Sequence, residues 1–135
     1  MVTLIINGAN GTMGKVITQC ALSRSEEFSV LAGIIKYEDP SYVPDFPLYL
    51  SPEECTEKAD ITIDFSMPDA LPGVLALAER TGAGVVIGTT GLTEEHRQMI
   101  REAGERIPVF LASNMSLGVN LQMDLVKRAA SFLGD

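Results

Sequence analysis

Residues 2–14, VTLIINGANGTMG, decide the fold of this 135-residue chain. The first six form an almost continuous apolar run rich in β-branched side chains, which predicts a buried strand. Glycines follow at positions 8, 11 and 14, and a helical spacing of apolar residues runs from Gly14 to about Ser23. A strand that passes through a glycine turn into a helix is the opening of a βαβ unit.

The same alternation of short apolar runs and helical stretches continues along the chain. Further strands are predicted at residues 30–35, 61–65, 84–87 and 109–112, and helices at 69–81, 93–105 and 120–133. Residues 37–52 contain three prolines and are expected to form an irregular loop, after which Ser51 caps a short helix beginning at Pro52. Strands joined by helical crossovers form a parallel sheet, so we predict a doubly wound, Rossmann-type α/β domain with helices on both faces.

Composition limits what the chain can bind. Hydrophobic residues make up 46% and charged residues 21% of the sequence, which is typical of one globular domain. The formal net charge of -8 argues against a nucleic-acid partner, and no apolar run approaches the ~20 residues of a membrane span. The glycine turn comes too early for a secretory signal. Cys20 and Cys55 are isolated and expected to be buried free thiols, which favours a cytoplasmic location.

The G-x-x-G-x-x-G spacing of the first turn has a chemical consequence. Glycines permit a tight turn and a close approach of ligand to backbone, and the helix that follows presents free N–H groups and its positive dipole end. This context predicts a site for the pyrophosphate of a dinucleotide. The candidate cofactor-binding residues here are Gly8, Ala9, Asn10, Gly11, Thr12 and Met13.

Three further turns follow predicted strand ends and carry small or hydroxyl-bearing residues. Individually, Ser66 and Thr93 are typical helix caps. Together the turns predict a cleft, because ligands of open α/β sheets bind beyond the carboxyl ends of the strands. Hydroxyl and amide groups there can hydrogen-bond the ribose and carboxamide of a nicotinamide dinucleotide. The candidates are Phe65, Ser66, Gly88, Thr89, Thr90, Ser113, Asn114, Met115 and Ser116.

The end of the second predicted strand bears on cofactor choice. Dinucleotide-binding domains often place an acidic residue there to hold the ribose hydroxyls, whereas this chain has Lys36. An ammonium group can pair with a 2′-phosphate, which favours NADPH over NADH. Glu38 and Asp39 are close enough to take the acidic role instead, and a solvated Lys36 without ligand contact is a further alternative.

The sequence supplies no clear general acid or base. His96 is the sole histidine and lies in a charged helical turn without a nucleophile nearby, which is typical of a surface residue. Asp124, Lys127 and Arg128 are expected to form the solvated face of the last helix.

Four segments in this order resemble one family. They are GANGTMG (8–14), DITIDFSMPDA (60–70), GVVIGTTGLTEE (84–95) and IPVFLASNMSLGVN (107–120). The combination resembles the dihydrodipicolinate (4-hydroxy-tetrahydrodipicolinate) reductases of bacterial lysine and diaminopimelate synthesis. The resemblance implies an NADH- or NADPH-dependent reductase whose glycine turn holds the pyrophosphate. It also implies that residues 88–90 and 113–116 border the nicotinamide and its ribose, and it sets Lys36 at a position that is commonly acidic in the family.

The resemblance further implies a substrate domain with a His-His pair, a Lys and a DAPSGTA-like segment, none of which occurs here. Residues 1–119 are therefore expected to form a dinucleotide-binding domain that binds cofactor without turnover. Residues 120–135 would be a helix leading toward an absent substrate domain. The apolar stripe of that helix, Leu121, Leu125, Ala129 and Phe132 or Leu133, is expected to fold back on the sheet, to fray, or to pair with a second copy in a homo-oligomer.

Two other hypotheses stay open on the sequence. Glycine turns at a first strand also serve stand-alone nucleotide- or CoA-binding regulatory modules. Semialdehyde and homoserine dehydrogenases share the front half of this pattern, although their catalytic Cys or Lys is not visible and the GTTG turn argues against them.

Overall fold

A computed structural model describes residues 1–112 and 115–133, and within them six parallel strands form one sheet. The strands are β1 (Val2–Asn7), β2 (Phe28–Ile34), β3 (Leu48–Tyr49), β4 (Ile61–Asp64), β5 (Gly84–Ile87) and β6 (Val109–Leu111). The helices are α1 (Thr12–Ser23), α2 (Leu71–Thr81), α3 (Glu94–Ala103) and α4 (Leu117–Leu133), and a 3-10 turn at Pro68–Ala70 precedes α2. The predicted Rossmann-type α/β fold is confirmed.

The strand order β3-β2-β1-β4-β5-β6 creates a switch point between β1 and β4. The chain winds outward from β1 to one edge, then returns and winds from β4 to the other edge. Connections from the carboxyl ends of β1 and β4 therefore leave in opposite directions and open a crevice between them. Asn7 and Asp64, the last residues of β1 and β4, are neighbours in register at this point.

Each face of the sheet has its own helical cover. Ile5 and Val85 face α2 and α3, and the largest buried cluster lies there around Leu71, Val74 and Ile87. Ile6 points to the opposite face, where it packs with Ala9, Ile35 and Ile17 of α1. Full burial of such a side chain contributes about 1.5–3 kcal/mol, so these two layers account for a large part of the stabilisation of the sheet.

The segment between β2 and β4 differs from the sequence prediction in two ways. Residues 48 and 49 form an edge strand, since the N–H of Ile35 donates to the carbonyl of Tyr49 at 2.9 Å. The expected short helix at Pro52 is only a turn, closed by a 3.3 Å bond from the Cys55 N–H. Cys55 and Ala59 of this segment are buried in the cluster that contains Ile5 of β1.

The cysteines divide between core and surface. Both are free thiols, as predicted, but only Cys55 is buried, whereas Cys20 is exposed on α1. Burial raises the pKa of the Cys55 thiol. The prediction of a buried Cys20 was wrong because residue 20 falls on the solvent side of the helix.

Helix α4 stands apart from the two packed layers. It begins at Leu117, three residues before the predicted start, and every described side chain from 115 to 132 is exposed. Leu121 and Leu125 of the predicted stripe are each 57% exposed, and Phe132 is 88% exposed. Of the three outcomes expected for the stripe, folding back on the sheet is therefore not the observed arrangement. No helix in the described ranges has the length and apolarity needed to cross a membrane.

Candidate functional site

The glycine turn after β1 is held against the end of β4. Gly8 has φ +81°, and a Cβ placed on it would lie 2.7 Å from the Phe65 carbonyl oxygen. The N–H of Gly11 donates to the Gly8 carbonyl at 2.9 Å and closes the turn. A Cβ on Gly14 would meet the Gly8 oxygen at 2.0 Å, so α1 packs directly on the turn. Only glycine fits this approach of strand, turn and helix.

The positive potential at the start of α1 is not neutralised by the residues of its first turn. Its N-cap is Gly11, which has no side chain to bond the first-turn amides, and no acidic residue lies in that turn. The positive end of the helix dipole is therefore not compensated by the helix's own residues, which suits an anion.

A cleft of about 490 Å³ opens beside this turn, at the carboxyl edge of the sheet. Its walls come from the glycine turn, the end of β2, residues 50–53 and the turn after β4. The lining residues are Asn7, Gly8, Asn10, Gly11, Ile34, Ile35, Lys36, Tyr37, Leu50, Ser51, Pro52, Glu53, Phe65, Ser66, Met67, Asp69, Ala70 and Gly73. Apolar walls with a few polar groups are typical of a small-molecule site.

Lys36 is the cation of this cleft lining. Its Nζ lies 3.9 Å from the Met67 sulfur and 5.6 Å from the centre of the Tyr37 ring. Within the described residues it makes no ion pair with a carboxylate. Its charge is thus available to a ligand, whereas Glu53 and Asp69 place negative charge on other parts of the lining.

Asp39, the alternative ribose-binding acid, is engaged elsewhere. Its carboxylate accepts from the hydroxyl and N–H of Ser41 and lies 3.4 Å from Lys15 of α1. The Ser41 hydrogen bonds, assisted by Lys15, lower the pKa of Asp39. Neither Asp39 nor Glu38 lines the cleft.

Two residues of the glycine turn form hydrogen bonds with the end of β2 and the loop that follows it. The Asn10 amide donates to the Tyr37 carbonyl at 3.0 Å, which ties the turn to the segment that carries Lys36. Ala9 is fully buried, and its N–H donates to the Ile34 carbonyl at 3.0 Å. Thr12 is exposed at the first position of α1.

A buried polar cluster lies under the switch point. The Asp64 carboxylate accepts from the Asn7 amide at 2.7 Å, from the Ser66 hydroxyl at 2.6 Å and from the Thr89 hydroxyl at 2.8 Å. Asp64 is 0% exposed, and Asn7 and Thr89 are nearly as buried. Ser66, expected as a candidate helix cap, instead binds Asp64, and the N-cap of the following turn is Met67.

A second, apolar cavity of about 540 Å³ lies on the α1 face of the sheet. Its lining is Met13, Ile17, Ile63, Phe65, Val86, Met115 and Ser116. Phe65 lines both cavities, and its ring covers Gly88, where an added Cβ would lie 2.3 Å from the ring. Thr90 is exposed in the turn beside it. The candidates Ser113 and Asn114 lie outside the described residues.

His96 has a structural role and lines neither cavity. The Thr93 hydroxyl accepts from the His96 N–H at 3.3 Å, and the His96 Nδ1 accepts from the Thr93 N–H at 3.1 Å. This reciprocal pair is a capping box at the start of α3, as predicted for Thr93.

Comparison with known proteins identifies the family to which this site belongs. The sequence matches the family described as "Dihydrodipicolinate reductase, N-terminus" over residues 2–115. The chain belongs to the dihydrodipicolinate reductase family.

Individual relatives agree with this assignment. The chain is 45% identical over 133 residues to the 4-hydroxy-tetrahydrodipicolinate reductase of Caldanaerobacter subterraneus subsp. tengcongensis, covering 98% of this chain and 51% of the relative. A dipicolinate-bound dihydrodipicolinate reductase from Paenisporosarcina sp. TG-14 superposes with a TM-score of 0.81 at 25% identity, over 98% of this chain and 54% of that one. The chain thus spans about half the length of the dihydrodipicolinate reductases it matches.

A homoserine dehydrogenase from S. aureus shares the fold only. It superposes with a TM-score of 0.60 at 12% identity, over 81% of this chain and 31% of that one. The dehydrogenase alternative raised by the sequence is not supported, since the family match is to dihydrodipicolinate reductase.

One wall of the site in this dihydrodipicolinate reductase domain was not predicted from the sequence. Residues 50–53 line the cleft because the edge strand β3 carries them there, and no local motif announces that pairing. The sequence did contain a signal for the Asp64 cluster, because two strands rich in β-branched residues both end in a polar residue, at positions 7 and 64.

Proposed function

We propose that this chain binds a nicotinamide dinucleotide as the cofactor domain of a reductase. The reductase transfers a hydride from NAD(P)H to 4-hydroxy-tetrahydrodipicolinate in lysine and diaminopimelate synthesis. The observation that carries the proposal is the glycine turn, which adjoins the uncapped α1 terminus and opens into a 490 Å³ cleft at the switch point. Family membership supplies the class of reaction.

The residues present fit such a cofactor. The backbone of Gly8 and Gly11 would lie against the pyrophosphate, because both residues line the cleft and neither carries a side chain that would keep a ligand away. The α1 terminus would supply positive potential there. Phe65 and Ser66, which line the cleft, would then border the cofactor on the β4 side, and the turn at residues 88–90, which lines neither cavity, is proposed to lie next to them. When bound, the dinucleotide supplies the hydride, and the protein supplies its orientation.

We further propose that NADPH is preferred over NADH. Lys36 lines the cleft with its charge unpaired by any described carboxylate, and Asp39 is occupied by Ser41 and Lys15. A charge-assisted bond from Lys36 to a 2′-phosphate follows from this arrangement.

The chain alone is proposed to bind cofactor without turnover. Residues 1–119 would be the cofactor domain, and residues 120–135 a helix directed toward a substrate domain. The sequence contains a single histidine, which caps α3, so the His-His pair of the family is not among these residues. A cytoplasmic location is proposed from the biosynthetic class of its relatives.

Calorimetric titration with NADPH and NADH, at matched low salt, tests this function. Wild type is expected to bind, and Gly11→Val is expected to weaken binding at least tenfold, about 1.4 kcal/mol. The substitution adds a branched side chain to an exposed cleft position with an ordinary φ of -73°, where its Cβ would lie 3.1 Å from the Gly8 carbonyl oxygen.

Gly84→Ala is the matched control for this test. Gly84 begins β5 at the opposite edge of the sheet, and its added Cβ would make only ordinary contacts of 3.6 Å or more. Binding should be unchanged in this variant. A wild-type chain that binds neither nucleotide, or a Gly11→Val chain that binds as wild type does, would contradict the proposal.

A further inference from the structure

We infer that Asp64 is a positioning residue of the cofactor site, an inference that rests on the proposed function. It does not line the cleft. Its carboxylate instead joins the end of β1, the turn after β4 and the turn after β5, and the first two of these segments line the cleft.

The hydrogen bonds of Asp64 come from three different strand ends. Asn7 is the last residue of β1, Ser66 lies in the turn after β4, and Thr89 lies in the turn after β5. Oδ1 accepts from the Asn7 amide, the Ser66 hydroxyl and the Ser66 N–H, the last at 3.2 Å, while Oδ2 accepts from the Thr89 hydroxyl. One carboxylate therefore fixes the relative positions of three segments.

Asp64 is an acidic residue at a fully buried position, where a charged side chain is energetically unfavourable. Asp64 is 0% exposed, and no lysine, arginine or histidine of the described residues lies within 4.0 Å of it. A buried carboxylate without a cation is tolerated only when hydrogen bonds replace its hydration, and here every partner acts as a donor. An apolar side chain could fill this position without the free-energy cost of burying a carboxylate. The presence of an acid therefore indicates that its hydrogen bonds are needed to hold the turns in place.

The turn after β4 connects Asp64 to the wall of the cleft. The Ser66 N–H is drawn inward, toward Asp64 and the Thr89 hydroxyl, each at 3.2 Å. The preceding carbonyl, that of Phe65, is thereby held against Gly8, and the Phe65 ring lies on Gly88. Without the carboxylate, the wall that Phe65 and Ser66 contribute to the cleft loses its anchor.

Two substitutions separate the role of hydrogen bonding from that of charge. Asp64→Ala leaves the donors of Asn7, Ser66 and Thr89 without their common acceptor. Asp64→Asn keeps the shape: its oxygen can accept from Asn7 and Ser66, and its amide can donate to the Thr89 hydroxyl. That hydroxyl can then donate to the carbonyl of residue 64, which lies 3.4 Å away.

A matched control lies on the same strand. Thr62 is also 0% exposed and sits two residues before Asp64 on the same face of β4, but its hydroxyl has no hydrogen-bond partner. Thr62→Ala therefore perturbs the packing of β4 without disturbing the turns.

The experiment measures NADPH affinity by calorimetry in these variants of the full chain. Asp64→Ala should raise the Kd about tenfold, Asp64→Asn should stay within about threefold of wild type, and Thr62→Ala should match wild type. Thr89→Val, which removes the bond to Oδ2 and the hydroxyl that accepts from the Ser66 N–H, should raise the Kd about threefold and serves if Asp64→Ala does not fold. Equal Kd values in wild type, Asp64→Ala and Thr89→Val, or an equal loss in Asp64→Ala and Thr62→Ala, would overturn the inference.

Amide hydrogen exchange without nucleotide distinguishes this inference from the proposed function. Asp64→Ala should accelerate exchange selectively at the Ser66 amide, which donates to the carboxylate, and at the Gly88 amide, which donates to the carbonyl of residue 64, whether or not the chain binds NADPH. Helices α2 and α3 should stay protected. Uniform acceleration across the domain would show a merely structural role. A wild-type chain that does not bind NADPH overturns the proposed function, while the exchange result still decides whether Asp64 orders the turns.

Discussion

Gly14→Ala is expected to lower the free energy of unfolding by about 3–5 kcal/mol, a large part of the stability of a domain of this size. The added Cβ would lie 2.0 Å from the Gly8 oxygen and 2.8 Å from the Ala9 Cα. Both are backbone atoms of the turn, so neither can move aside as a flexible side chain would. Alanine gains about 1 kcal/mol over glycine in a helix, which is too little to offset this overlap. Urea unfolding followed by circular dichroism measures the change.

Gly82→Ala is the control that separates steric overlap from backbone conformation. Gly82 ends α2 with φ +75°, and a Cβ there would meet nothing within 4 Å. Only the left-handed conformation opposes the substitution, so the expected loss is about 1–2 kcal/mol. Equal losses at positions 14 and 82 would contradict the close packing of α1 on the glycine turn.

Lys36→Glu is expected to reverse the cofactor preference, shifting the ratio of NADPH to NADH affinity about a hundredfold. The substitution removes a cation from the cleft lining and adds an anion that repels a 2′-phosphate and can accept from ribose hydroxyls. NADH affinity should rise or stay constant while NADPH affinity falls. Paired titrations with the two nucleotides measure the ratio.

Lys58→Glu makes the same change of net charge at a distance. Lys58 is exposed and precedes β4 at the amino edge of the sheet, away from the cleft. It should leave the ratio of affinities unchanged at moderate salt, because exposed charges beyond about 8–10 Å are screened. A ratio that moves equally in both variants would show that total charge, and no specific contact of Lys36, sets the preference.

The fold could be predicted from the sequence wherever a local pattern has one physical solution. The run at residues 2–7 and the glycines after it predict a buried strand entering a helix. The structure has the strand at these residues and begins the helix at Thr12, two residues before the predicted start. The cap at Thr93 was readable for the same reason. The turn at Pro52 was predicted as a helix because the helix-start pattern is local and does not determine whether the residues after it continue as a helix.

For the site as well, local patterns could be predicted from the sequence, whereas contacts between distant segments could not. Lys36 could be placed at the cleft because it follows a strand end, and the glycine turn because of its spacing. The hydrogen bond of Ser41 and the ion pair of Lys15 with Asp39 could not be predicted, because they depend on the path of the loop after β2. The role of Thr89 as a buried donor to Asp64 likewise depends on the neighbouring strands β4 and β5.

Backbone amide chemical shifts recorded during an NADPH titration locate the nucleotide on the sheet and so test whether it binds at the glycine turn. We expect the largest changes at residues 8–13, at Lys36, at Phe65 and Ser66 and at residues 88–90, all at the carboxyl edge. Changes concentrated at the amino edge, around residues 24–28 and 104–108, with the glycine turn unaffected, would contradict binding at this site.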